Sequence, residues 1–446
     1  MKVPALLIPL VLLVTMGIYP AEGRFPMTFS MELLTRVGLG DLEPCSAYLV
    51  ESLPEGLIYP PSSPSLISTA FAWDMLIFEA KQNISIASFY WSMLREDVYN
   101  SSSAYQGEEI FRKLLEKSKE INVSIVTSGP QAADNDLDLL IAAGAKVKYL
   151  DVTKLLTTGV QHAKLWTADN QHGYLGSANM DWRSLTQVKE LGIFFKECPK
   201  LATDLSKVIG AFGHAAEPGI MFPIDWTSEF ITVYNRTNPM KLLLNGVPSS
   251  VYISMSPPPF RPPGREDDLD TIIHTIDSAQ SFVYVSVMDF QAVVQYYSGN
   301  PDRYWPDLSN ALIKASMERS VKVRILVSHW AHTSPKLPHF MKAIRALHGV
   351  NGASLRIRFF VVPVETHEQR SIPFARVNHN KYMVTDKTLY VGTSNWSGDY
   401  FKFTGGAGFV VECEEDSVPS TGAKCLRKEL EEVFLRDWNS MYTDEL

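Results

Sequence analysis

The sequence predicts an α/β protein made of two similar halves that share one site. The main observation is an internal duplication, because the pattern His-x-Lys-x4-Asp occurs twice with a constant offset between matching positions. A glycine-rich stretch ending in an asparagine, Asn179 or Asn395, follows each copy. Two copies in register indicate two half-sites that meet. The copies consist of His162, Lys164 and Asp169, and of His379, Lys381 and Asp386.

The predicted secondary structure repeats in the same way. Each half contains a strand, a charged amphipathic helix and two further strands before its motif. This order of apolar strands and a helix predicts a mixed sheet in each half. An additional amphipathic helix is predicted at 426–438. The repeated segments are 84–90, 108–120, 121–126 and 146–150 in the first half, and 282–288, 306–320, 321–327 and 355–362 in the second.

The domain boundaries follow from this repeat. We expect the first half at residues 24–245 and the second at residues 266–446, with a linker at residues 246–265. The linker contains the run Ser-Pro-Pro-Pro-Phe-Arg-Pro-Pro-Gly, and proline lacks the backbone N–H that a helix or central strand needs. Residues 1–23 combine a lysine, an apolar run and small residues, which predicts a cleaved signal peptide. An uncleaved membrane anchor is the alternative, although the run is short for a span.

Composition is that of a globular protein of 446 residues, with 46% hydrophobic and 20% charged residues. The formal net charge of -8 gives no general attraction for nucleic acid or acidic lipid. A site for phosphate must therefore be a local positive cleft.

Sequons and cysteines indicate the secretory pathway. Asn-x-Ser/Thr sequons begin at Asn83, Asn100, Asn122 and Asn235, which are candidates for glycosylation. The four cysteines allow three disulfide connectivities. We favour the pairs Cys45–Cys198 and Cys413–Cys425, the second closing a short loop. Because no Cys-x-x-Cys pair occurs, we expect no zinc site.

The paired motifs suit chemistry on a phosphodiester. Histidine and lysine two positions apart on a strand emerge on the same face, so two such strands surround a small space with two imidazoles and two ammonium groups. Lys164, Lys381 and the amides of Asn179 and Asn395 can neutralise the non-bridging oxygens. One histidine then attacks phosphorus while the other protonates the leaving alkoxide. No metal or other cofactor is required. We expect Asp169 and Asp386 to support the structure more than the chemistry.

The motifs resemble the signature of the phospholipase D superfamily, His-x-Lys-x4-Asp-x6-Gly-Ser-x-Asn. The first copy matches in full, whereas the second has five residues between Asp386 and Gly392 and has Thr393 in place of serine. The stretches 174–192, 377–385 and 392–398 resemble the branch that contains the endolysosomal phospholipase D three and four proteins.

This resemblance implies a phospholipase D fold, with two α/β halves related by a pseudo-twofold axis around one active site. It implies a 5′-to-3′ exonuclease that degrades single-stranded DNA and RNA in an acidic compartment, and the chemistry of the paired motifs predicts that this reaction is metal-independent. The expected location is the lysosome lumen or the outside of the cell, with anchoring in an endolysosomal or ER membrane as the alternative. Homodimerisation is a further expectation.

The resemblance also implies roles for the motif residues. The first histidine of the superfamily is generally the nucleophile, and an acidic residue after the first motif orients it. Glu190 fits that part, while 404–408 in the second half has no carboxylate. His162 is therefore expected to be the nucleophile and His379 the general acid, with the opposite assignment left open.

Contacts with the substrate are predicted from residues near the motifs. Aromatic candidates for stacking on bases are Tyr90, Trp91, Trp182, Trp330, Phe374 and Trp396, and we expect a minority to do so because most aromatic side chains lie in cores. The full set of predicted substrate-binding residues is Ser177, Thr393, Trp182, Arg183, Trp330 and Phe374. Arg183 either contacts a phosphate or braces its loop.

Two other functions compete with the nuclease. A phospholipase D or transphosphatidylase acting on phospholipid would use the same phosphohistidine, and no evident lipid-binding segment supports it. A binding protein without activity is the third hypothesis, and the intact histidines and lysines argue against it.

Overall fold

The computed structural model of the chain describes residues 42–129, 135–295, 302–414 and 424–446. The expected signal peptide at residues 1–23 lies outside these residues. In the described ranges, none of the helices has both the length and the apolar character needed to cross a bilayer.

The first half of the chain forms the strands and helices up to residue 215. Its strands are β1 (Glu43–Ser52), β2 (Ile67–Ser68), β3 (Asn83–Ser88), β4 (Trp91–Ser92), β5 (Asn122–Ser128), β6 (Lys146–Leu150), β7 (Leu165–Ala168), β8 (His172–Gly176), β9 (Met180–Asp181) and β10 (Glu190–Lys196). Its helices are α1 (Thr69–Glu79), α2 (Tyr105–Ser118), α3 (Asn135–Ala142), α4 (Val152–Leu156), α5 (Arg183–Thr186) and α6 (Pro199–Ala215).

The rest of the chain repeats this pattern. Its strands are β11 (Met240–Leu244), β12 (Val247–Ser256), β13 (Glu266–Asp267), β14 (Phe282–Val287), β15 (Val293–Val294), β16 (Arg303–Tyr304), β17 (Lys322–Ser328), β18 (Ser354–Phe360), β19 (Lys381–Thr385), β20 (Thr388–Gly392), β21 (Gly406–Cys413) and β22 (Thr443–Glu445). Its helices are α7 (Asp268–Ser278), α8 (Asp307–Arg319), α9 (Leu337–Arg345), α10 (His367–Ser371), α11 (Gly398–Lys402) and α12 (Leu426–Trp438).

The two halves have matching strand orders. The first sheet runs β6-β5-β3-β7-β8-β10-β1-β2, and the second runs β18-β17-β14-β19-β20-β21-β12-β13. In both, the pairs at the first edge are parallel and the central pairs are antiparallel. The prediction of two similar α/β halves with mixed sheets is therefore confirmed.

Strand β12 lies inside the segment that was expected to be a linker. Residues 247–256 pair with β11 on one side and with β21 on the other. Apolar side chains such as Val251 and Ile253 are fully buried there, which stabilises the strand in the sheet. Only the residues from Pro257 onward form a loop, so the linker begins about ten residues later than the prediction of residues 246–265.

One hydrophobic core joins the two halves. Helices α1, α2 and α3 cover the outer face of the first sheet, and α7, α8 and α9 cover the outer face of the second. Helices α6 and α12 lie between the sheets, where Phe212 and Phe434 pack in the same cluster as Ile193 and Val411. Strand β1 also pairs with both sheets, through β10 and β11. The halves are therefore parts of one packed unit.

Both favoured disulfides are formed. Cys45 in β1 is bonded to Cys198, the residue before α6, and Cys413 in β21 is bonded to Cys425, the residue before α12. The sequon side chains lie away from the core. Asn100 and Asn122 are exposed, whereas Asn83 and Asn235 are half-buried.

Candidate active site

The two motif histidines lie where the halves meet, and each is held by the opposite half. The backbone N–H of His162 donates to the carbonyl oxygen of Gly405 at 2.7 Å, and that of His379 donates to Lys189 at 2.8 Å. The ring of His162 also crosses the boundary, because its Nδ1 lies 2.9 Å from the carbonyl oxygen of Thr393. The structure thus brings the two predicted half-sites together at the boundary between the halves, with both imidazoles largely buried.

Glu190 contacts the second histidine of the pair. Its carboxylate oxygens lie 2.9 and 3.0 Å from Nδ1 of His379. The expectation that Glu190 orients His162 is wrong, because the chain crosses the boundary just before β10. The backbone of Lys189 pairs with the segment around Asn378, and this places the next residue under the imidazole of the other half.

The position that matches Glu190 in the second half is Gly406. Each is the first residue of its strand and follows the residue whose carbonyl accepts from a motif histidine. A Cβ at Gly406 would lie 2.5 Å from Oγ of Ser394 and 2.9 Å from Oγ of Ser256. A side chain at this position would require Ser394 and Ser256 to move, and His162 has a neutral carbonyl as its Nδ1 partner instead.

Both histidines have lowered pKa values, to different extents. Burial, followed by the charges of Lys164, Lys381 and His379, lowers the pKa of His162 well below its usual value. Burial also lowers the pKa of His379, but the negative charge of Glu190 opposes this effect. A carboxylate partner favours the imidazolium form, so His379 is the histidine that gains a proton more readily.

The motif lysines lie next to the motif histidines and can supply positive charge there. The Nζ atom of Lys164 donates to the carbonyl oxygen of His162 at 2.5 Å, and that of Lys381 donates to His379 at 2.7 Å. Both side chains are buried, and burial lowers both pKa values, that of Lys381 to about 7. Each ammonium group keeps further protons for a ligand, because the carbonyl oxygen of the histidine occupies only one of three. Below about pH 7 Lys381 therefore brings positive charge to the boundary between the halves.

The motif asparagines are each held by a tyrosine. Nδ2 of Asn179 donates to the hydroxyl of Tyr90 at 3.4 Å, and Nδ2 of Asn395 donates to that of Tyr400 at 3.0 Å. The ring of Tyr400 also packs at 5.2 Å from the ring of His162. An amide has two N–H donors, so each asparagine retains one for an oxygen of a substrate.

The motif aspartates hold the far ends of their strands. Asp169 accepts from the backbone N–H groups of residues 81, 82 and 83, and Asp386 accepts from those of residues 280, 281 and 282. Burial raises the pKa of Asp169, but the three backbone hydrogen bonds outweigh it and the pKa is lowered. These contacts fit the expected structural role.

A buried ion-pair network lies behind Glu190. The Nζ atom of Lys189 lies 2.8 Å from Asp437, and Arg436 contacts Glu51 at 2.6 Å and Asp437 at 2.9 Å. The hydroxyl of Tyr59 donates to Asp437 at 2.6 Å. The network connects β1, β10 and α12, so it fixes the residue before Glu190 to both halves. Nothing in the sequence spacing identified it.

Four predicted substrate contacts are instead structural. Ser177 and Thr393 exchange hydrogen bonds with Leu191 and Ala407 across the sheets. Trp182 is fully buried among Ala104, Ile372 and Ala375, so no base can reach it. Arg183 pairs with Asp181 and donates to the carbonyl oxygen of Pro373, which makes it a brace rather than a phosphate contact. These four residues follow the motifs closely in the sequence because they help to pack the structure around the site.

The aromatic candidates divide by exposure. Trp91 and Trp396 are buried, and Tyr90 is half-buried and bonded to Asn179 and Asp181. Trp330 is half-buried, whereas Phe374 is exposed. Sequence proximity alone could not separate these two groups.

A half-buried carboxyl group near Lys381 was missed. Asp289 follows β14, and it occupies the position that Tyr90 has after β3. Burial raises its pKa, while Gln291, which donates to it at 2.8 Å, and Lys381 oppose the shift. Aligning the residues that follow β3 and β14 in the duplicated sequence would have identified this position.

The duplicated sheets and the two His-x-Lys pairs in one pocket define the phospholipase D type of fold and site. The chain belongs to the PLD3/4 family of PLD-like domains, whose model matches residues 62–365. In the described ranges no group of three or more His, Cys, Asp or Glu side chains is arranged to hold a metal ion.

Comparisons with individual proteins agree with this family. The chain is 43% identical to the 5′-3′ exonuclease PLD3 of Homo sapiens over 409 residues, which cover 91% of this chain and 81% of that protein. It is 41% identical to the 5′-3′ exonuclease PLD4 of Mus musculus over 407 residues, covering 90% and 80%. Among solved structures, phosphatidylserine synthase of Haemophilus influenzae superposes with a TM-score of 0.55 at 13% identity, over 93% of this chain and 92% of that one. That likeness concerns the fold alone.

Proposed function

We propose that this chain is a 5′-to-3′ exonuclease that hydrolyses single-stranded nucleic acid through a phosphohistidine. The observation that carries the proposal is the pair of motif histidines with different Nδ1 partners, a carbonyl for His162 and a carboxylate for His379. The polarity comes from the relatives, whose names state 5′-3′ exonuclease and whose length this chain largely covers.

His162 acts as the nucleophile in this scheme. A carbonyl oxygen only accepts hydrogen bonds, so the contact with Thr393 requires a proton on Nδ1 and leaves the lone pair on Nε2. Its low pKa keeps the ring neutral under mildly acidic conditions. A neutral imidazole with a fixed tautomer is the form that attacks phosphorus.

His379 acts as the general acid in the first step. Its imidazolium is stabilised by Glu190, so it can carry the proton that the leaving alkoxide needs. In the second step the neutral His379 takes a proton from water, and the carboxylate stabilises the imidazolium that forms again. Lys164, Lys381 and the two motif asparagines neutralise and orient the non-bridging oxygens.

The bonds balance over the two steps. In the first, Nε2 of His162 forms a bond to phosphorus, the bond from phosphorus to the leaving 5′ oxygen or 3′ oxygen breaks, and His379 donates its proton to that oxygen. In the second, water forms a bond to phosphorus and gives a proton to His379 as the phosphorus–nitrogen bond breaks. The enzyme returns to its starting protonation state.

We further propose that the protein works in the lysosome lumen or outside the cell. The two disulfides support an oxidising compartment, and the exposed Asn100 and Asn122 are accessible for glycosylation. Homodimerisation stays a prediction from the resemblance, and the outer boundaries of the two halves stay a prediction from the internal repeat. No specific contact favours a phospholipid substrate.

The test uses single-stranded oligonucleotides labelled at either end and incubated with the purified chain at about pH 5 in chelator. We expect stepwise release of mononucleotides from the 5′ end, and no release by His162→Asn. His274→Asn, a substitution on α7 away from the site, is the matched control and should remain active. Release from the 3′ end would overturn the polarity. Inactivity on every oligonucleotide, together with transfer of a phosphatidyl group to an alcohol, would replace the nuclease by a phospholipase.

A further inference from the structure

An exposed stack of three rings lies beside the second motif. The ring of Phe374 stacks on that of His332 at 4.6 Å with an interplanar angle of 22°, and Trp330 meets His332 edge-on at 4.8 Å. Phe374 is 61% exposed and His332 is exposed as well. We call these three side chains the aromatic platform. Water covers a large phenylalanine face here, in contrast to most aromatic side chains of the protein.

The loop that carries Phe374 is held rigidly in this exposed position. Phe374 and Arg376 have φ angles of 53° and 57°, in the left-handed region that bulky residues rarely occupy. Arg183 from the first half bonds the carbonyl oxygen of Pro373. Arg376 is buried, and its guanidinium bonds the carbonyl oxygens of Pro363 and Glu55 and the side chain of Gln187. Strained backbone that is fixed by surrounding contacts is typical of functional sites.

The aromatic platform is close to the proposed general acid. Phe374 precedes His379 by five residues, which limits their separation to about 18 Å even for extended backbone. On the other side, Trp330 follows Ser328 by two residues, and the Oγ atom of Ser328 accepts from the backbone N–H of Asn378 at 3.1 Å. The segments that carry Phe374 and Trp330 are thus both held near His379. A bound single strand of a few nucleotides can span this separation.

We propose that Trp330, His332 and Phe374 form a subsite that stacks on a base of single-stranded nucleic acid. The inference rests on the proposed function and deepens it by assigning a binding site for bases. Stacking on an exposed ring is tolerant of sequence, because every base presents a π face. An acyl chain is a poorer fit, since the aromatic platform exposes one phenylalanine and one imidazole and is followed by the polar residues Thr333 and Ser334, so it is not a continuous apolar surface.

Phe374→Ala tests the subsite without touching the pocket. We expect kcat/KM for a short single-stranded oligodeoxyadenylate to fall by about five- to a hundredfold, mainly through KM. An abasic oligomer of equal length and charge should be cleaved as well by the variant as by the wild type. Phe374→Trp, which keeps a stacking face at the same backbone conformation, should restore cleavage of the base-bearing strand.

The control is Phe78→Ala on α1. Phe78 is an exposed phenylalanine of similar accessibility, 65%, and it lies near Asp169 at the far end of strand β7. Phe78→Ala should leave kcat/KM unchanged for both the base-bearing and the abasic oligomer. Equal loss on the abasic and base-bearing strands after Phe374→Ala would show a structural role and overturn the subsite, as would no loss on either.

A binding measurement separates this inference from the proposed activity. In the His162→Asn background, fluorescence anisotropy should show weaker binding of the oligodeoxyadenylate when Phe374→Ala is added, by a similar factor. A wild type that binds but does not cleave would refute the nuclease while leaving the subsite intact. A wild type that neither binds nor cleaves single strands would refute both.

Discussion

Glu190 of the first half accepts a hydrogen bond from Nδ1 of His379 in the second half, at 2.9 Å. This contact breaks the symmetry of the duplicated site, because His162 has a carbonyl oxygen in the corresponding place. The two histidines consequently differ in the charge of their partners. We expect this difference to assign one to nucleophilic attack and the other to proton transfer.

The roles of the histidines can be separated by the leaving group. His162→Asn should lower kcat by at least about a thousandfold on every phosphodiester, because no phosphorus–nitrogen bond can form. His379→Asn should lower kcat by about a hundred- to ten-thousandfold on nucleic acid, whose alkoxide needs a proton. A p-nitrophenyl phosphodiester has a leaving group that needs none, so His379→Asn should still release a rapid burst of p-nitrophenolate from it, whereas His162→Asn should release none. The reverse pattern would exchange the two roles.

The phosphohistidine itself is a second readout of these variants. After a rapid quench at alkaline pH, wild-type protein should carry an acid-labile phosphoryl or nucleotidyl label on residue 162. Accumulation of that label in His379→Asn with the p-nitrophenyl substrate is expected, because the hydrolysis step also needs His379. A label on residue 379 would contradict the assignment.

Activity should be highest in acid, and Glu190 should set its upper limit. His379 must be protonated and His162 neutral, and both pKa values lie below the usual histidine value. The rate therefore rises as the pH falls below about 6.5 and declines when His162 gains a proton. Lys381, with a pKa of about 7, also loses its charge at higher pH. A rate that keeps rising above neutral pH would contradict this division.

Glu190→Gln should shift the pH profile in a defined direction. The carboxylate raises the pKa of His379, so its removal lowers that pKa and moves the alkaline limb of kcat/KM to lower pH. The acid limb, which reports His162, should move little. A uniform decrease in rate with an unchanged profile would instead indicate that Glu190 only supports the fold.

The sequence identified the motif residues because duplication repeats side chains at fixed spacing. It named Glu190 but not its partner, since spacing along a chain does not show which strand crosses between two sheets. It missed α1, whose apolar residues surround the helix instead of forming one stripe, with Trp73 and Leu76 buried and Phe78 exposed. Strand β12 was assigned to the linker because prolines follow it directly. Whether Trp182 or Phe374 is exposed depends on tertiary packing.

The buried network behind Glu190 should contribute more to stability than a surface ion pair does. Lys189→Met leaves Asp437 buried with one partner fewer, so the free energy of unfolding should fall by about 3–5 kcal/mol. Lys241→Met, which removes the exposed pair with Glu414, should cost less than about 1 kcal/mol. Urea denaturation monitored by tryptophan fluorescence measures both. Equal values for the two variants would refute the importance of burial here.

Asp169 should affect stability and not the chemical step. Asp169→Ala leaves three backbone N–H groups without their acceptor, and we expect the free energy of unfolding to fall by about 1–3 kcal/mol. Because the pKa of Asp169 is lowered in the folded state, its contribution is present above about pH 4 and disappears as the pH falls further. kcat should stay within about twofold of the wild type. A hundredfold loss of kcat in a folded variant would show that Asp169 takes part in the chemical step.

Chelation should leave the activity unchanged, because the lysine and asparagine side chains already neutralise the phosphate oxygens. The measurement is kcat with and without excess EDTA, after dialysis of the protein against the same chelator. Loss of activity that added metal restores would refute the metal-independent scheme.

Gly406 affects the orientation in which a nucleic-acid strand binds in the site. Two identical halves would accept a phosphodiester equally well in either direction, since exchanging the histidines would change nothing. Because the two halves differ in sequence, the first has Glu190, whereas Ser256 and Ser394 leave little space for a side chain at position 406 of the second. Only one orientation of the substrate then places the departing oxygen next to the proton donor. We therefore expect the absence of a side chain at position 406 to favour one orientation of the bound strand over the other.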